Sequence, residues 1–133
     1  MGEAELQTVV LETPGGRVVA VDSAYDTRPE NRGRDVVVNA SCSGVLPARF
    51  VGACLPRGAI GVDCAIGPEG AGIAGLWYLE ALGVPAAAAD IATVTLGNGV
   101  DMYETALVSR VNAPAAACGV AAGMPVREAA RLL

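Results

Sequence analysis

Three consecutive valines, Val36-Val37-Val38, set the strongest constraint on the fold. Successive side chains of a strand point to opposite faces, so an all-apolar run must be covered on both sides, the condition of a parallel sheet between helical layers. The rest of the sequence supplies matching elements. Leu6 to Glu12, the turn Pro14-Gly15-Gly16 and the run Arg17 to Ala24 read as an N-terminal β-hairpin. Tyr25 to Arg34 is almost without apolar residues and reads as an exposed loop, and Asp35 to Ala40 is the valine strand. Pro47 suits a first helical turn, so Ala48 to Leu55 is expected as a short helix stopped by Pro56-Arg57-Gly58. Ala59 to Ile66 follows as a second buried strand, Ala71 to Leu82 as a helix closed by Gly83, and Val84 to Leu96 as a further apolar run. Helical spacing is expected over Val100 to Asn112, another helical start at Pro114, and a last helix over Val126 to Leu133. A hairpin followed by β-α-β-α-β-α predicts a single three-layer α/β domain over residues 1–133, with a largely parallel sheet.

Composition supports a packed core and removes several chemistries. Apolar residues make up 53% of the 133 residues and charged residues 17%, which excludes a disordered chain. Aromatics are only 4%, so alanine, valine and glycine must fill the interior. There is no histidine, and all nine basic residues are arginine. Histidine bases, histidine metal sites, lysine Schiff bases and P-loop lysines are therefore excluded within the chain. A net charge of −5 argues against a nucleic-acid partner, and no long uninterrupted apolar stretch points to a membrane. Met1 to Gln7 carries Glu3 and Glu5 without a basic region, so no signal peptide is expected and a reducing cytoplasm is the default. Cys42, Cys64, Cys54 and Cys118 show no C-x-x-C spacing.

In an open parallel sheet, ligands gather beyond the carboxyl ends of the strands. Asp22 and Ser23, Ser41-Cys42-Ser43-Gly44, Asp63-Cys64, and Asp90 with Thr93 fall at such ends. Cys42 is the sharpest candidate, because a thiol just before a helix start can have its thiolate stabilised by the amides there. Cys64 occupies the equivalent place on the next strand. Two thiols facing one cleft suit nucleophilic or acid/base work, including proton transfer on opposite faces of a carbon. The competing reading makes these cysteines small core residues and the Asp and Ser side chains turn and helix caps.

Gly70-Ala71-Gly72-Ile73-Ala74-Gly75 matches G-x-G-x-x-G after a strand, with Asp90 twenty residues beyond Gly70. Glu69 places a carboxylate where a pyrophosphate would approach, so no dinucleotide is expected and no other cofactor is indicated. The milder expectation is that Glu69, Gly70 and Gly72 border an anion site built from helix-start amides. Asp22, Asp63, Glu69 and Asp90 have no recognised metal-loop spacing, and no metal site is expected. Arg28, Arg32 and Arg34 read as a solvated loop or a candidate lid, and Trp77 as a core or interface residue.

From Gly61 to Asn112, on the motifs Glu69-Gly70-Ala71-Gly72-Ile73-Ala74-Gly75-Leu76 and Leu96-Gly97-Asn98-Gly99, the chain resembles a group of small uncharacterised bacterial α/β proteins. The resemblance implies a histidine in the turn corresponding to Ser41-Cys42-Ser43 and another just after the position of Asp90. Cys42 and Ile91 stand there instead, so no activity carries over.

Together these features lead to the expectation of a small cytoplasmic enzyme acting on a small carboxylate or amide-like metabolite. Cys42 and Cys64 would be nucleophile or acid/base, with Asp63 and Asp90 orienting polar groups. Ser41, Ser43, Gly44, Glu69, Gly70 and Gly72 would hold the ligand. The alternative is a non-catalytic ligand-binding or assembly subunit whose apolar surface, including Trp77, is covered in a homo-oligomer.

Overall fold

The computed structural model describes residues 7–64 and 73–133. Strands β1 (Gln7–Thr13) and β2 (Gly16–Val21) form the N-terminal antiparallel hairpin, with a bulge between Val9 and Leu11. Then follow β3 (Asp35–Cys42), α1 (Val45–Ala53), β4 (Gly58–Asp63), α2 (Ala74–Ala81) and β5 (Ala86–Asp90). The remaining elements are α3 (Gly99–Thr105), β6 (Val108–Val111), α4 (Ala113–Ala117) and α5 (Val126–Leu132). The six strands lie side by side in the order β1-β2-β3-β4-β5-β6. β2 to β5 are mutually parallel, while β1 and β6 close the two edges antiparallel. The architecture is the expected α/β sheet with an N-terminal hairpin.

Alternation along the buried strands sorts their side chains onto two cores. Val36, Val38, Ile60 and Val62 pack with Met102 of α3 and Val126 and Ala130 of α5. On the other face Ala59, Ala86 and Ala88 meet Val51 of α1 and Leu76 and Leu79 of α2. Small side chains on β5 let the helices approach the sheet closely, the role expected from the scarcity of aromatics. No helix among the described residues is long and apolar enough to cross a membrane.

Two expectations are corrected. Val100 to Asn112 is not one helix: α3 ends at Thr105, Ala106 is extended, and Val108–Val111 is an edge strand on β5. Valines at Val108 and Val111 fit both helical spacing and a short strand, and pairing with β5 decides for the strand. Tyr25 to Arg34 is not simply exposed either. It contains short 3-10 turns at Ala24–Asp26 and Pro29–Asn31, and Asn31 is fully buried.

Asn31 is drawn inward by Asp35, a carboxylate with no exposed surface at the start of β3. Asp35 accepts hydrogen bonds from Arg17, Arg34 and Asn31. Burial alone would raise its pKa, but these donors outweigh it and hold the carboxyl at about 2, below the ordinary 3.8.

Candidate functional site

Cys42 ends β3, and Cys64 follows directly on the last residue of β4. The parallel register runs Val38↔Ile60 and then jumps to Cys42↔Val62, so β3 carries extra residues opposite Gly61. That irregularity brings Cys42 beside the end of β4. The two cysteines are joined in a disulfide, with Cα atoms 5.4 Å apart, and stand 22 positions apart in sequence. Both are half-buried. The sequence brought them to one end of the sheet, and the structure adds that they are bonded neighbours.

The remaining site candidates divide by what they bind. Ser43 donates its backbone N–H to Val62 O at 2.7 Å and accepts from the Gly75 N–H at 2.8 Å, which ties the β3 end to β4 and to α2. Gly44 is the N-cap of α1 and offers no capping side chain; with Pro47 lacking an N–H, Val45 and Leu46 are the first-turn amides without an intrahelical partner. Asp63 accepts from the Ser109 hydroxyl at 2.9 Å and has Arg110 Nε at 4.0 Å. Register places Asp90 beside Asp63, but the Asp90 side chain is exposed and caps the Ile91–Thr93 turn by accepting from the Ala92 N–H. Ser41 Oγ accepts from the Ala24 N–H at 2.9 Å, and Asp22 accepts from the Gly99 N–H at 2.9 Å. These last three side chains are each engaged by a backbone N–H. Glu69, Gly70 and Gly72 lie outside the described residues. Among the described residues no three His, Cys, Asp or Glu side chains gather as a metal site.

A cavity of about 20 Å³ lies behind the disulfide, between the sheet and the α1–α2 layer. Asn39, Cys42, Ser43, Gly61, Gly75 and Leu76 are among its walls. Asn39 is 4% and Ser43 7% exposed. Asn39 donates to Ile60 O at 3.3 Å, and Ser43 borders the same space. Gly61 opens the space: a Cβ there would stand 2.7 Å from Ser43 Oγ. Asn39 was not singled out from the sequence, although a lone amide inside Val36-Val37-Val38-Asn39-Ala40 is the signal that could have found it.

Other groups lie elsewhere. Arg34 is bound to Asp35 at the amino end of β3, away from the disulfide, which removes it from a lid over Cys42. Cys54 is a free, half-buried thiol whose pKa is raised by burial and by the charge of Glu30. Trp77 projects from α2 at 51% exposure, on the surface and not in the core.

No family profile, no curated protein and no solved structure matches the chain.

Proposed function

We propose that the protein is a small α/β enzyme that works by reversible thiol–disulfide chemistry at Cys42 and Cys64. One observation carries this reading: two bonded sulfurs at the carboxyl ends of adjacent central parallel strands, where α/β sheets hold their ligands. The reading narrows the expected cysteine enzyme. Proton transfer on opposite faces of a carbon needs sulfurs on either side of the substrate, and residues with Cα atoms 5.4 Å apart leave no room for one between them. Thiol–disulfide exchange needs only that one sulfur be reachable and the other adjacent. In a reducing compartment, such as the cytoplasm expected from the sequence, disulfides are usually transient and catalytic or sensing. Asp63, fixed by Ser109, and the uncapped start of α1 supply the polar surroundings.

The test is to open the pair with dithiothreitol and close it with diamide while following circular dichroism and site-resolved alkylation. Reversible opening in a folded protein is expected, with one of the two thiols labelled below the ordinary thiol range. A bond that opens only when the chain unfolds makes it a structural staple and overturns the reading.

A second reading, an assembly subunit, is favoured by one surface. Leu46 and Phe50 of α1 and Trp77 of α2 are 57%, 38% and 51% exposed, on two helices that pack against each other. Light scattering after size exclusion decides it: a homo-oligomer that Trp77→Asp converts to monomer supports this role, and a wild-type monomer removes it.

A further inference from the structure

We infer that the cavity behind Cys42 admits a small hydroperoxide and that Cys42, not Cys64, is the sulfur it oxidises. This rests on the thiol–disulfide reading and names the oxidant of that same site.

Size selects the ligand. A buried water needs a cavity of about 10–15 Å³. The cavity offers about 20 Å³, enough for two bonded oxygens and far too little for an organic disulfide. Its lining is suited to such a molecule. Ser43 and Asn39 bring two polar side chains to its wall, both residues more than nine-tenths buried. Each can hold a peroxide oxygen that is both donor and acceptor. The same geometry separates the two sulfurs. Cys42 lines the cavity and Cys64 does not. Cys42 also lies two residues before Gly44, the uncapped start of α1, whose amides favour a thiolate in the reduced protein.

The chemistry balances. In the reduced protein the Cys42 thiolate attacks one peroxide oxygen; an S–O bond forms, the O–O bond breaks, and the departing hydroxide takes a proton and leaves as water. Cys42 is then a sulfenic acid, oxidised by two electrons while the peroxide is reduced. Cys64 attacks the Cys42 sulfur, the S–S bond forms, the S–O bond breaks, and hydroxide with the Cys64 proton leaves as a second water. Two thiols and one hydrogen peroxide give one disulfide and two waters.

The experiment follows each cysteine by mass spectrometry in the reduced protein mixed with hydrogen peroxide, with Cys118 as reference in the same molecule. Disulfide closure faster than Cys118 oxidation is expected, and Cys64→Ser should accumulate a dimedone-reactive sulfenic acid on Cys42. Ser43→Ala, which removes only a hydroxyl, should slow closure by peroxide about tenfold, the equivalent of one hydrogen bond to the reacting oxygens. It should slow closure by diamide much less than closure by peroxide. The inference falls if peroxide closes the pair no faster than it oxidises Cys118, if Cys42→Ser traps sulfenic acid on Cys64 equally well, or if Ser43→Ala leaves the peroxide rate unchanged. Failure of diamide as well as peroxide to close the pair overturns the thiol–disulfide reading together with it.

Discussion

Arg17 grips Asp35 with two parallel hydrogen bonds, Nε to Oδ1 at 3.1 Å and Nη2 to Oδ2 at 2.9 Å, joining the beginnings of two parallel strands. The buried carboxyl titrates at about 2 against an ordinary 3.8, so between those values the unfolded chain binds the proton more readily than the folded one. Stability from this group is complete above the unfolded value and is lost as pH falls through about 2. The shift is worth about 2 kcal/mol. Acid titration of the unfolding free energy should therefore steepen across that window in the wild type, and Asp35→Asn should flatten it and lower the stability at neutral pH.

Asn112 should be as sensitive, for a different reason. It is 1% exposed and uses its whole amide: Oδ1 accepts from the Ala86 and Ala115 N–H groups, and Nδ2 donates to Leu76 O and Val84 O. Asn112→Ala removes the side-chain partner of four backbone groups, at a cost of about 3 kcal/mol or more. Denaturant unfolding measures it, and a loss below that of an ordinary surface substitution would contradict the assigned network.

Gly75 sits where α2 crosses the end of β3. A Cβ there would come within 2.5 Å of Ser43 O, 2.6 Å of Gly44 O and 2.8 Å of the Ala48 Cβ. Gly75→Ala gains about 1 kcal/mol of helix propensity, yet overpacking of this kind costs about 1–3 kcal/mol. A net destabilisation is expected in thermal melts, with altered alkylation of Cys42 because Ser43 must move.

The Cys42–Cys64 bond closes a loop of 22 positions, and its reduction should remove about 3 kcal/mol of stability by the chain-entropy argument. Urea midpoints with and without reductant give the number. Cys54 serves as the contrasting thiol: burial and Glu30 hold its pKa above the ordinary value, so its alkylation should lag until the pH rises above the usual thiol range.

Much of the scaffold was legible because the decisive runs are unambiguous. Val36-Val37-Val38 cannot face water on either side, and Pro56-Arg57-Gly58 and Gly83 punctuate the helices cleanly. β6 was not legible, since its two valines stand three apart, a helical spacing, while their β-branching favours a strand, and only the waiting edge of β5 decides between them. At the site, the sequence placed Cys42 and Cys64 at strand ends. Their contact depends on which strands are neighbours and on the register jump opposite Gly61, properties of pairing that no local pattern encodes. The capping role of Asp90 was among the readings the sequence offered, whereas the partner of Ser41 was not, because Ala24 meets it only through the fold.

The strand order has one more consequence. Since β1 to β6 lie in the sheet in the order of the chain, every strand after the first docks onto one already laid down. A nascent polypeptide leaving the ribosome can build the sheet by addition at a single growing edge, with no gap held open for a later segment. Cys42 and Cys64 belong to one β–α–β unit of that series, so their encounter needs only the chain emerged up to β4 and not the closing helix α5.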